Sequence, residues 1–96
     1  MISYDQFCER AREFGLFGLL PDYFDLIDDE GIYPTSELAE IVGMHRDSIA
    51  RLCSQGKIRS EGISHYKIKG IEAKRYFFTK IQKRFPKDAK KILGIT

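Results

Sequence analysis

The chain has 96 residues, of which 43% are hydrophobic and 31% are charged, and its formal net charge is +2. This length is typical of one domain, and the composition is that of a folded protein rather than a disordered segment. No apolar stretch approaches the roughly 18 residues that a membrane helix needs, and the N-terminal residues lack the pattern of a signal peptide. We therefore expect a cytoplasmic protein that does not bind a membrane.

The charges are distributed unevenly along the chain. Residues 1–32 carry eight acidic and two basic side chains, a balance of −6, whereas residues 57–96 carry twelve basic and three acidic ones, a balance of +9. Such polarity gives a small domain one face that attracts phosphate and another that repels it. Each charged run taken alone is also typical of a solvated face.

The first segment, residues 1–32, is predicted to be an acidic and apolar helical extension that packs on the core. Apolar spacing predicts a helix from Tyr4 to about Phe14, with Ser3 as a candidate cap, and a short second helix from Pro21 that ends at Gly31. Ile32 and Tyr33 form a candidate strand stub. The apolar side chains of this segment exceed what docking on the core needs, so some are candidates for self-association or for a partner protein. The candidates are Phe14, Phe17, Leu20, Tyr23, Phe24 and Ile27.

The second segment, residues 33–85, begins with two short amphipathic helices. The apolar face of the first includes Leu38 and Ala39, and Gly43 can take the positive φ that ends it. A second helix from Arg46 to Gln55 has Ile49, Leu52 and Cys53 on its inner face. The turn between the helices has about three residues, which is typical of a helix-turn-helix. Thr35 is expected to cap the first helix, and Ser48 either caps the second or donates to phosphate.

The rest of this segment is predicted to form a wing and a helix. Residues 57–59 and 65–68 are interpreted as two strands around a turn at Gly62. A helix from Ile71 to Phe85 follows and ends before Pro86, and its aromatic stripe, which includes Phe77, Phe78 and Phe85, is expected to face the core. Residues 86–96 form either a short helix or a basic tail. The predicted fold class is therefore mainly α: a winged helix-turn-helix with a small two-stranded β wing and an N-terminal helical extension.

Four motifs occur in order from Thr35 to about Phe78: Ser-Glu-Leu-Ala-Glu-Ile-Val-Gly, Arg-Asp-Ser-Ile-Ala-Arg-Leu, Gln-Gly-Lys-Ile and His-Tyr-Lys-Ile. In this order and spacing they resemble the excisionase-type, MerR-like winged helix-turn-helix domains. The resemblance implies a second helix in the major groove, a wing against phosphate or minor groove, and a role as a regulator or recombination directionality factor in phages, plasmids and other mobile elements. The turn at residues 60–64 departs from the family pattern, because it carries Glu61 where a basic tip is more usual.

The candidate DNA contacts come from the second helix and the predicted wing. Arginine and lysine can reach base edges or phosphates, the start of a recognition helix usually enters the groove first, and Tyr66 is a candidate for stacking as well as for packing. Lys80, Lys83 and Arg84 of the last long helix are further candidates for phosphate contacts. The predicted DNA-binding residues are His45, Arg46, Asp47, Ser48, Arg51, Lys57, Arg59, His65, Tyr66, Lys67 and Lys69.

Catalysis, metal binding and cofactor binding are poorly supported by the sequence. It lacks a glycine-rich phosphate loop, an H-E-x-x-H motif and a G-x-S-x-G motif, and Cys8 and Cys53 lack the spacing of zinc ligands, so both are expected to be reduced core residues. We expect double-stranded DNA as the partner, with a homodimer or cooperative oligomer through the N-terminal extension, and no small-molecule substrate. The alternatives are a protein-interaction adaptor and a DNA-binding subunit of a larger replication or packaging assembly.

Overall fold

The computed structural model describes residues 1–95. Within this range the chain forms five α-helices and a small two-stranded antiparallel sheet, so the fold is mainly helical. The elements in chain order are α1 (Tyr4–Phe14), β1 (Ile32–Pro34), α2 (Thr35–Val42), α3 (Arg46–Ser54), β2 (Lys67–Lys69), α4 (Gly70–Ile81) and α5 (Lys87–Leu93).

The core is one hydrophobic cluster to which every helix contributes. At its centre the ring of Phe7 in α1 lies 4.9 Å from that of Phe78 in α4 and 5.8 Å from that of Phe85. The aromatic stripe predicted on the last long helix is confirmed as core, because Phe77 and Phe78 are buried. α1 and α4 therefore pack against each other and form the base of the core.

The N-terminus is attached to this base at two points. Ser3 and Gln6 form a capping box at the start of α1, which confirms Ser3 as the cap. The buried side chain of Gln82 accepts a hydrogen bond from the backbone N–H of Ile2 (3.2 Å) and donates one to its carbonyl oxygen (3.1 Å). These bonds satisfy the amide of a buried polar residue.

The sheet differs from the predicted wing. β2 pairs with β1, in the register Ile32 with Lys69, so the predicted strand stub is confirmed and its partner is β2. Residues 57 and 58 form a bend instead of a strand. The physical reason is that the N–H groups of both donate to the carbonyl oxygen of Leu52 and close the end of α3, so they cannot join a ladder.

The predicted second helix is also corrected. The chain between α1 and β1 forms 3₁₀ turns at Phe17–Leu19 and Asp22–Phe24. Here Phe24 and Ile27, three residues apart, are the buried side chains, and this spacing suits the three-residue period of a 3₁₀ turn. The last long helix ends at Ile81 and continues as a 3₁₀ turn to Arg84, and the chain after Pro86 forms a helix.

Candidate nucleic-acid interface

The helical pair α2–α3 is joined by a tight connection at Gly43. This glycine has φ 74°, and its N–H donates to the carbonyl oxygen of Ala39, which also accepts from the N–H of Met44 at 2.9 Å. The positive φ confirms that the first helix ends at Gly43 as predicted, since residues other than glycine rarely adopt that backbone conformation. Leu38 of α2 and Ile49 of α3 are fully buried, so the pair shares one apolar interface.

Thr35 does not cap α2, and of the two roles predicted for Ser48 the structure contradicts the cap of α3. Thr35 is the first residue of α2, and Pro34 takes the cap position, where its fixed φ leads into the helix. His45 caps α3, because its Nδ1 accepts a hydrogen bond from the backbone N–H of Asp47 at 3.2 Å. The half-buried Ser48 lies within the first turn of the helix.

The outer face of α3 is polar and carries two exposed arginines, Arg46 near the N-terminus and Arg51 farther along. The side chain of Arg46 is 71% exposed, and its Nε lies 4.0 Å from a carboxylate oxygen of Asp47. Exposed ion pairs of this kind contribute little to stability, so the arginine can exchange this partner for another acceptor. The exposed residues among those predicted on α3, Arg46, Asp47 and Arg51, are thus available to a ligand.

A hairpin of residues 61–67 follows α3. Glu61 and Lys67 exchange two backbone hydrogen bonds, of 3.0 and 2.9 Å, which close it. Gly62 has φ 99°, and a Cβ atom there would lie 2.5 Å from the carbonyl oxygen of His65, so the turn requires glycine. The predicted turn at Gly62 is therefore confirmed, although it opposes β2 to Glu61 rather than to residues 57–59.

The chain between α3 and the hairpin is anchored in the core, because Ile58 and Cys53 of α3 are buried. Burial raises the pKa of the Cys53 thiol, and a hydrogen bond with the Ser60 side chain offsets the rise in part. The cysteine is thus a packing residue of the core.

Cationic side chains from three segments line two adjoining grooves. A groove of about 460 Å³ lies between the hairpin and the sheet, and a second of about 440 Å³ lies beside α4; Arg59 borders both. Lys67 and Lys69 lie on one face of β2, because side chains alternate along a strand and Ile68 between them is buried. We call this surface the basic surface, and its members are Lys57, Arg59, Lys67, Lys69 and Lys80.

Two acidic residues, Glu61 and Glu72, also line these grooves. Glu72 accepts a hydrogen bond from Arg75 at 2.6 Å, and Arg75 makes two more with the Asp5 carboxylate, at 3.0 and 3.4 Å. These bonds raise the pKa of Arg75 above its ordinary value. Because Arg75 offsets the charge of Glu72, Glu61 is the acid with the larger effect on an approaching anion.

The structure brings together part of the predicted site. Lys57 and Arg59 meet Lys67 and Lys69 on the basic surface, together with Lys80 from α4. His65 is exposed in the hairpin, whereas Tyr66 packs against the core and is half-buried. Ile63 beside the turn glycine is absent from the predicted set, and it is the most exposed of the large hydrophobic residues within residues 1–95.

The predicted self-association residues are corrected. Phe24 and Ile27 are buried in the core and cannot present a surface, and Leu20 and Tyr23 are half-buried. Phe14 and Phe17 remain, with 53% and 43% of their surface exposed. Phe24 and Ile27 are buried and Phe14 and Phe17 are exposed because the chain after Pro21 turns toward the core through the 3₁₀ turn at Asp22–Phe24.

Within residues 1–95, no cluster of three or more histidine, cysteine, aspartate or glutamate side chains could hold a metal ion. None of the helices in the same range is long and apolar enough to cross a membrane. No protein-family model, curated protein or solved structure matches this chain.

Proposed function

We propose that this protein is a non-enzymatic, sequence-specific double-stranded DNA-binding protein with a winged helix-turn-helix fold. In this proposal α2 and α3 are the helix-turn-helix, the hairpin of residues 61–67 is the wing, and α3 enters the major groove. The observation that carries the proposal is the basic surface, because it gathers five cationic residues from three segments into adjoining grooves next to the segment that leaves α3.

The electrostatics of the chain support this proposal. Phosphate contacts dominate the affinity of proteins for DNA, and a binding face needs several cations at the spacing of a phosphate backbone. The basic surface supplies several such cations, and all of them come from residues 57–96, whose charge balance is +9. Its positive potential would steer the protein toward a duplex.

The two arginines of α3 are proposed to read bases. In helix-turn-helix proteins the N-terminal residues of the second helix contact base edges, and an arginine can make two hydrogen bonds to guanine. Arg46 and Arg51 are both exposed and extend from a helix held rigidly by the buried Ile49. The resemblance of residues 35–78 to excisionase-type domains further favours a role in regulation or recombination of a mobile element.

Selection of bound sequences from a random duplex library, followed by variants at the two arginines, tests this function. Each base-contacting arginine should contribute about 1–3 kcal/mol of discrimination, so Arg46→Ala and Arg51→Ala should each weaken binding to the selected sequence by about 5- to 140-fold. Arg12→Ala is a matched control, because Arg12 is exposed on α1. If both α3 variants bind the selected sequence as the control does, α3 is not the reader.

A protein-interaction adaptor is the second candidate, and the exposure of Phe14 and Phe17 favours it. Two aromatic residues, close in sequence, that keep about half of their surface in contact with solvent suit a partner protein. The adaptor and DNA-binding candidates differ in their behaviour at low salt. Retention on heparin and a gel shift with random duplex support DNA binding, whereas failure of both supports the adaptor.

A further inference from the structure

The outer face of the two-stranded sheet combines apolar and cationic side chains. Ile32 lies directly opposite Lys69, and Pro34 lies opposite Lys67. All four residues are exposed, and Ile32 keeps 61% of its surface in contact with solvent. Ile32 and the two lysines also line the groove of about 460 Å³ between the sheet and the hairpin, which we call the sheet groove. A phosphate backbone pairs with the cations of this groove, whereas the exposed isoleucine suits an apolar side chain.

The segment that precedes the sheet has the complementary chemistry. Residues 25–30, which we call the acidic segment, contain four acidic residues and no basic one. Leu26 among them is 65% exposed. Asp29 pairs with Lys74 at 2.9 Å, and within residues 1–95 the other three acids of the segment form no ion pair. An exposed leucine among carboxylates thus lies next in the chain to an exposed isoleucine among cations.

The acidic segment is held in a defined conformation. Ile27 is buried, and the N–H of Asp28 donates to the hydroxyl oxygen of Tyr33 at 2.8 Å. The N–H of Ile71 donates to the carbonyl oxygen of Asp29 at 3.2 Å, which fixes the segment to the start of α4. These contacts keep the segment out of the sheet groove of its own chain. They also reduce the entropy that the segment would lose on docking elsewhere.

We propose that the acidic segment of one copy docks in the sheet groove of a second copy, and that the two copies do so reciprocally. The segment and the groove adjoin, because Ile32 follows Glu30 by two residues. A two-fold axis beside them brings each segment to the groove of the other copy, so both contacts form in one closed dimer. Leu26 of each copy then meets Ile32 of the other, and the carboxylates meet Lys67 and Lys69.

The second copy covers cations that the proposed function assigns to phosphate. A duplex and a second copy therefore compete for the sheet groove, and the free protein is a dimer that DNA must dissociate. This competition rests on the proposed function, whereas the dimer does not. Sedimentation with a random duplex should show loss of the dimer as the DNA complex forms, and a dimer that remains intact on the duplex overturns the competition. A protein that dimerises but binds no duplex overturns the proposed function alone.

Charge reversal of each side tests the reciprocal contact by sedimentation equilibrium of the full chain at low salt without DNA. Lys67→Glu with Lys69→Glu reverses the sheet groove, and Asp25→Lys with Glu30→Lys reverses the acidic segment. Each double variant alone should raise the Kd of the dimer by about 100-fold or more, because like charges then face each other at both contacts. An equimolar mixture of the two should form a heterodimer with a Kd within about tenfold of the unaltered dimer, because opposite charges meet again at both contacts.

Matched reversals elsewhere are the controls: Lys87→Glu with Lys91→Glu on α5, and Glu9→Lys with Glu13→Lys on α1, all at exposed residues. Both should keep the dimer. Leu26→Ser, which changes no charge, should weaken the dimer by about tenfold. The inference is overturned if the unaltered protein stays monomeric up to about 1 mM, if the mixture of reversed variants stays monomeric, or if the controls lose the dimer as the reversed variants do.

Discussion

Replacement of Gly70 by alanine should destabilise the protein through a clash at the start of α4. A Cβ atom at Gly70 would lie 2.7 Å from the carbonyl carbon of Asp28 and closer still to its oxygen. Carbon atoms in contact prefer about 3.5–4.0 Å, so the backbone near Asp28 must move by about 1 Å. The loop of residues 28–31 and the first turn of α4 cannot both keep their positions.

The magnitude follows from what this movement disturbs. The N–H of Gly70 donates to the carbonyl oxygen of Gly31 at 2.8 Å, and the N–H of Ile71 donates to that of Asp29 at 3.2 Å. Overpacking typically destabilises by about 1–3 kcal/mol, and each weakened hydrogen bond by about 0.5–1.5 kcal/mol. The better helix propensity of alanine offsets about 1 kcal/mol of this destabilisation. We expect a net loss of about 3 kcal/mol in the free energy of unfolding.

Urea unfolding followed by circular dichroism measures this loss. With a slope of about 1–3 kcal/mol per molar urea, the midpoint should fall by at least about 1 M. Gly18→Ala is the control, because a Cβ atom at Gly18 would meet no atom of residues 1–95 within 4 Å. It should change the free energy of unfolding by less than about 0.5 kcal/mol. Equal midpoints for the two variants would refute the proposed close packing.

Two further predictions concern salt and pH. In titrations of random duplex at several salt concentrations, Lys67→Ala and Lys69→Ala should each lower the magnitude of the slope of log K against log salt by about one unit. Lys87→Ala on α5 is the control and should leave this slope unchanged. An unchanged slope for both β2 variants would mean that this strand faces away from DNA. Burial, followed by a hydrogen bond with Cys8, raises the pKa of Tyr4 above its ordinary value of about 10. A raised folded-state pKa stabilises the protein fully below that ordinary value, so the free energy of unfolding should fall as the pH rises above about 10. Tyr4→Phe should flatten this fall in alkaline unfolding curves, and identical pH profiles would disprove the contribution of this phenol.

The sequence by itself determined those elements whose signals are local. The stop at Gly43, the inner face of α3 around Ile49 and the aromatic stripe of α4 follow from helical periodicity and from glycine, because these signals lie within a few residues of one another. The uneven charge distribution is likewise a property of the sequence, and it places Lys67 and Lys69 in the basic part of the chain.

The tertiary structure alone decided the strand partner, the burial of the N-terminal aromatics and the make-up of the basic surface. A strand of three residues has too little local pattern to specify its partner, and β1 and β2 are joined by hydrogen bonds between residues far apart in the chain. The sequence shows that Arg59 is basic, but its position between the two grooves depends on the bend at residues 57 and 58 that follows α3. Likewise the turns of the chain bury Phe24 and leave Ile63 exposed. Hydrophobicity alone does not determine which apolar residues the fold covers.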